Sequence, residues 1–171
     1  LDHPNDQNIV NEKWEYMSIY YIMIVPKSFG KIVQIPFFND PIIYYPLKHE
    51  DLKNISEGLK NLCKLLLSSG AVALYPTIKN SLPIKDIKSI RQMPDKIRPS
   101  DSSLMTIHLF SSCPIGENRK LCVANSFGKV FGQKGLYIAD SSTIPSAPGV
   151  NPQGTVMALA HKNIEKIISL S

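Results

Sequence analysis

Apolar positions in this chain fall into runs with two different periods, separated by Pro- and Gly-containing breaks. Residues 16–25, YMSIYYIMIV, crowd aromatic and β-branched side chains in the manner of a strand. Pro26 ends the run, Lys27-Ser28-Phe29-Gly30 supplies a turn, and Lys31–Ile35 reads as a second strand. The pair is predicted to be antiparallel, with Gly30 at positive φ in the turn. Asn39-Asp40-Pro41 breaks the chain again before an apolar stretch at Ile42–Tyr45. From Asp51 the period changes. Leu52, Ile55, Leu59, Leu62, Cys63, Leu66 and Leu67 recur every three or four residues, which places them on one helical face. Asp51 is suited to cap that helix and Gly70 to end it.

Residues 76–103 hold Pro76, Pro83, Pro94 and Pro99 among polar positions, predicting irregular loops with a short helix between two structural regions. Leu104–Phe110 is apolar enough for a strand or a buried segment, and Ser111–Gly135 reads as turns around short extended pieces. Leu136–Asp140 is a two-faced apolar run ending in a carboxylate, as in a buried parallel strand. After the tight loop Ser146–Val150, Asn151-Pro152 predicts a helix start, Asn capping and Pro at the first helical position. Val156, Ala160, Ile164, Ile167 and Ile168 would form the apolar face of this last helix.

At 171 residues and 43% apolar composition, the chain is long enough for one domain or parts of two. Leu1 stands where an initiator Met is expected, which predicts a piece of a longer protein. The net charge of +5 is spread over scattered lysines such as Lys53, Lys60, Lys64 and Lys162. No basic run indicates nucleic-acid binding. Cys63, Cys113 and Cys122 are odd in number and lack metal-site spacing, so they read as reduced thiols of a cytoplasmic protein. No signal-peptide pattern and no apolar stretch of membrane-spanning length is seen.

Two C-terminal blocks carry candidate chemistry. His108-Leu-Phe-Ser-Ser-Cys113-Pro-Ile-Gly116 resembles the H-x-x-G-T-C-x-M-G pattern of the glucose–methanol–choline oxidoreductases. Gly135-Leu-Tyr-Ile-Ala-Asp140-Ser-Ser-Thr-Ile-Pro145, followed by Asn151-Pro152-Gln-Gly-Thr155, is similar to that family's G-L-x-V-x-D-A-S-x-x-P and N-P-x-x-T blocks. A weaker match runs from Pro26 through Asp40-Pro41 to the Asp51 helix. Together these segments span about residues 25–171. Ser111-Ser112 stands for the family's Gly-Thr and Ile115 for its Met, and the family's G-x-G-x-x-G fingerprint is absent.

The resemblance implies an α+β chain. Residues 1–100 would supply an antiparallel, substrate-side sheet with a covering helix. Residues 101–171 would add the strand, loop and helix that complete an FAD-binding α/β domain. FAD is the implied cofactor, a small-molecule alcohol the substrate, and the missing N-terminal FAD-binding half of the same protein the partner. Removing a proton from the alcohol oxygen requires a base that titrates near neutrality, and the resemblance assigns this to His108. It makes Asn151 the partner that holds the substrate oxygen, while flavin accepts hydride. The first turn of the last helix carries unpaired N–H groups and about half a positive charge, suited to the negative edge of a reduced flavin. Asp140, Ser141, Asn151, Pro152, Gln153 and Thr155, with Gly154, are then the cofactor-contacting candidates.

Blander roles compete at each position. Asn151 is explained as a helix cap, Asp140 as a turn cap, and Cys113 as a packed thiol. His161 reads as a solvated surface residue, and His3 and His49 lie in polar surroundings without a partner pattern. Tyr20, Tyr21, Tyr44 and Tyr45 are sheet residues first. Ile22, Ile24, Phe37 and Phe38 suit a greasy substrate or a core equally well. The Ser-Ser-Cys-Pro order resembles subgroups acting on long-chain or other bulky alcohols. Two alternatives stay open: an inert or binding-only fragment, and a flavin-containing lyase on the same scaffold. Recording whether an alcohol bleaches the flavin of the longer protein separates them.

Overall fold

A computed structural model of the chain describes residues 4–169, so His3 lies outside the described residues. The chain divides into two compact units, Leu1–Leu104 and Met105–Ser171. The elements are α1 (Pro4–Lys13), β1 (Lys31–Val33), β2 (Ile42–Tyr44), α2 (His49–Ser68), α3 (Ile87–Ile90) and α4 (Gln153–Ile168), with short 3₁₀ turns between them. Helices beside a small antiparallel sheet agree with the α+β expectation.

The core of the first unit forms between α2 and the loops that follow it. Ile55 and Cys63 on α2 are buried with Ile78, Ile84, Ile90, Met93 and Ile97, and Leu59, Leu67 and Leu74 pack around them. The three-and-four spacing of α2 therefore does what it predicted. Residues 76–103 are irregular as expected, yet they are more than a connection, because their Ile and Met side chains supply much of this core. Backbone pairing pins them: Leu74 and Ile84 exchange N–H···O bonds of 2.8 and 2.9 Å, and Lys79 N–H reaches Asp101 O at 2.6 Å.

Both ends of α2 are capped. The helix begins at His49, so Asp51 lies at its third position rather than before it. From there its carboxylate accepts the Lys48 N–H at 3.2 Å, completing the helix start from inside. At the other end Gly70 adopts φ +99. Ala71 N–H bonds Leu66 O at 3.0 Å and Gly70 N–H bonds Leu67 O at 3.2 Å, the paired closure that a left-handed glycine permits.

The N-terminal sheet differs from the expectation. β1 pairs with β2, with Ile32 opposite Ile43, and not with residues 16–25. Gly30 does not adopt positive φ. Its lack of a side chain matters instead because a Cβ there would lie 3.2 Å from the Tyr45 ring. Residues 18–26 are without regular structure, although their alternation survives. Ile22 and Ile24 pack on the core while Tyr21, Met23 and Val25 are exposed and Ile19 is 95% exposed. Among the described residues, 18–26 make no backbone hydrogen bond to a neighbouring strand. Ile32, Ile43, Phe37 and Phe38 are likewise exposed, so this sheet is a two-stranded ribbon bare on both faces.

The second unit is built from turns. Ala124, fully buried, bridges to Ile115 on one side and Val130 on the other. The expected parallel strand at Leu136–Asp140 does not form. Tyr137 instead makes one antiparallel bridge to Lys129, and Leu136 is exposed. Leu104–Phe110 is neither strand nor buried, with Met105, Ile107 and Leu109 open to solvent.

α4 starts at Gln153, one residue later than predicted. Pro152 takes the cap position, and Asn151 makes no side-chain capping bond. Its inward stripe is also displaced: Asn163 is buried, whereas Ile164 and Ile168 are exposed. Met157, Ile164 and Ile168 thus give α4 an exposed apolar surface.

Candidate active site

The His108 block and the Asp140 block meet through the backbone. Cys113 N–H donates to Ser142 O at 3.1 Å, five residues beyond His108 and two beyond Asp140. His108 itself is half-buried, its ring 6.4 Å from that of Phe110. Just after it Ser111 adopts φ 65, a left-handed conformation that side chains other than glycine adopt at a cost of about 1–2 kcal/mol. This is the position at which the resembled pattern carries glycine, so Ser111 keeps the turn and bears the strain.

Asp140 is exposed and closes the 3₁₀ turn Ser141–Thr143. Its Oδ1 accepts the Ser142 N–H at 2.8 Å and also the Ser142 hydroxyl. Thr143 Oγ1 donates to Asp140 O at 2.7 Å. The bland role therefore accounts for every bond of this carboxylate. Ser141 is half-buried, Thr143 and Pro152 are buried, and Asn151, Gln153, Gly154 and Thr155 are exposed at the start of α4. Among the described residues, no hydrogen bond, ion pair or ring contact joins His108 to Asn151. His161 is exposed, 3.6 Å from Glu165, as a surface residue should be.

The first turn of α4 is the part best suited to hold a cofactor. No side chain caps it, and the first intrahelical bond is Val156 N–H to Pro152 O at 2.8 Å. The N–H groups of Gln153, Gly154 and Thr155 are left to donate to an outside acceptor. Around Gly154 nothing lies within 4 Å of where a Cβ would be, so an acceptor can approach the backbone closely. These residues fit an anionic or carbonyl-bearing edge of a flavin. All three cysteines are free, and burial pushes the Cys63 thiol up, away from the reactive thiolate. Among the described residues no helix is long and apolar enough to cross a membrane.

Sequence reasoning missed the clasp that fixes the first unit. Asp51 is fully buried and accepts Lys27 N–H at 2.8 Å together with the Ser28 hydroxyl. Ser28 Oγ in turn accepts Lys48 N–H at 2.7 Å. The signal was present as a polar Lys27-Ser28 pair next to an apolar run, but nothing in the linear order linked it to a carboxylate 23 residues away.

The fold is α+β and one backbone bond joins the two motif blocks; comparison places the chain in a family. Residues 37–160 match the family model described as GMC oxidoreductase, and the chain belongs to that family. It is 37% identical over 161 residues to an uncharacterized GMC-type oxidoreductase of Sinorhizobium fredii, covering 94% of this chain and 32% of that protein. A Mycobacterium tuberculosis protein named likewise is 24% identical over 138 residues, covering 81% of this chain and 22% of its own length. A long-chain-alcohol oxidase of Arabidopsis thaliana is 29% identical over 132 residues, 70% of this chain and 18% of that protein. The chain thus spans about a third or less of the length of these curated relatives.

Proposed function

We propose that this chain is the catalytic C-terminal part of an FAD-dependent enzyme that oxidises an alcohol CH–OH group to a carbonyl. The observation that carries the reading is the Cys113–Ser142 bond, which joins the His-bearing loop to the turn preceding α4. His108 accepts the hydroxyl proton, its imidazole being the side chain suited to that task near neutral pH. Asn151 holds the substrate oxygen through its amide without changing charge. Asp140, Ser141, Pro152, Gln153, Gly154 and Thr155 line the cofactor, the helix amides facing its electron-rich edge. FAD, when bound, supplies the hydride acceptor. A greasy alcohol is the favoured substrate class: a relative is named as a long-chain-alcohol oxidase, and Phe37, Phe38, Ile43 and Met23 present apolar surface.

The exposed apolar residues also support a partner, the N-terminal FAD-binding half of the same protein that the motif resemblance implies. Tyr21, Met23 and Val25 on one side of residues 18–26, and both faces of β1–β2, are exposed apolar surface of the kind a partner covers. In isolation the chain is expected to be inactive.

The test joins the chain to its upstream sequence and records the visible absorption of the flavin without oxygen. A long-chain primary alcohol should bleach it, and His108→Ala should slow bleaching by about 10²–10⁴-fold with flavin still bound. Asn151→Ala should weaken both binding and rate. A bound flavin that no alcohol bleaches, or a His108→Ala variant that bleaches at the parent rate, would refute the assignment.

A further inference from the structure

We infer that the open cavity bounded by Arg119, Lys129 and Lys134 is a binding site for a phosphate-type oxyanion, distinct from the His108 region and independent of the alcohol-oxidation reading. The cavity is about 470 Å³, and Asn125, Phe131 and Gln133 complete its wall with no carboxylate among the lining residues. Three exposed cations therefore line a cavity where two side-chain amides can also donate. That is the donor set a phosphate takes, with Arg as a planar fork and Lys as point charges. The volume lies within the range of small-molecule sites.

These cations stand on a fixed frame. Asn125 Oδ1 accepts the N–H groups of Phe127 and Lys129, each at 3.0 Å, and Asn125 N–H reaches Lys129 O at 2.9 Å. Val130 N–H bonds Leu136 O at 3.0 Å, and Gly132 turns the chain at φ 75. Arg119 lies over the Phe131 ring at 4.8 Å, which orders its guanidinium and leaves its N–H edge unspent. None of Arg119, Lys129 and Lys134 forms an ion pair among the described residues. The nearest acid in sequence, Glu117, accepts Ser126 N–H at 3.1 Å and does not line the cavity, although the Arg119 charge helps to hold its carboxyl below the ordinary value. Arg119, Lys129 and Lys134 are exposed and no acidic side chain lines the cavity with them, so an oxyanion there meets only cationic and amide groups.

A free phosphate compound and a lipid headgroup share this chemistry, so the test has two arms on the full chain. In the first, inorganic phosphate is titrated at constant ionic strength against chloride, and backbone amide shifts are followed by NMR. In the second, sedimentation is measured with phosphatidylcholine vesicles with and without phosphatidic acid. Saturable shifts at Gly132, Gln133 and Lys134 with phosphate support the site. So does binding only to vesicles containing phosphatidic acid, which identifies the headgroup as the source. In either case the double variant Lys129→Glu/Lys134→Glu should weaken binding at least about tenfold, since charge-assisted bonds are lost. Lys64→Glu, the same charge change on α2, should leave it unchanged. No response in both arms, or a response that survives the double variant, overturns the proposal.

Discussion

Removing the Asp51 carboxylate tests the first unit's construction most directly. Its side chain is 0% exposed and accepts Lys27 N–H, Lys48 N–H and the Ser28 hydroxyl. Asp51→Ala leaves these donors facing a space without an acceptor. Hydrogen bonds to a buried charge contribute about 1.5–3 kcal/mol each, but the three are not additive, and removing the charge relieves its own desolvation. A net loss of about 3 kcal/mol follows. Ser28→Ala should cost about 1 kcal/mol, because Lys48 N–H still has Asp51 at 3.2 Å. The pH dependence carries a sign. Burial pushes the Asp51 carboxyl up, but the Ser28 hydroxyl and then the Lys27 and Lys48 amides outweigh it and hold it below the ordinary value. Its folded pKa is depressed, so its contribution is fully present above about pH 4 and disappears as pH falls through the lower folded value. Urea denaturation of the chain measures both effects, with the m-value unchanged. An Asp51→Ala midpoint within error of the parent refutes the account. So does an Asp51→Asn variant that keeps the parent's loss of stability in acid.

Three further substitutions check particular backbone positions. Gly58→Ala should stabilise the chain by up to about 1 kcal/mol in the same denaturation experiment, because α2 gains helix propensity. The new Cβ would meet Ile22 at 3.6 Å, an ordinary contact. Gly128→Ala should destabilise the second unit by about 3 kcal/mol. Its Cβ would stand 2.4 Å from Ile138 O at φ +77, and loss of amide-exchange protection at Ile138 would report it. Ser111→Gly should stabilise by about 0.5–1 kcal/mol, since glycine adopts φ 65 without strain. Unchanged thermal midpoints would show that the Ser111 turn relaxes at no cost.

Local patterns were legible wherever one element could be decided by its own neighbours. The α2 stripe, its Gly70 ending and the irregular, Pro-broken stretch after it depend on interactions a few residues apart. The ordered His108, Asp140 and Asn151 blocks were also readable, because motif spacing is a property of the linear chain. Pairing was not. Residues 16–25 carry strand chemistry, yet a strand exists only with a partner, and β1 takes β2 instead. The apolar run at Leu136–Asp140 failed in the same way, held by one bridge to Lys129.

Sequence alone decided the α2 helix, the motif blocks and the resemblance to the GMC oxidoreductases. Tertiary structure decided that Asp51 clasps Lys27 and Ser28, that Cys113 joins the His loop to the Ser142 turn, and that Arg119, Lys129 and Lys134 share a cavity. The division has one physical cause: helix periodicity and turn chemistry act over a few bonds, whereas ladder partners, buried polar pairs and charge clusters join residues that chain order leaves far apart.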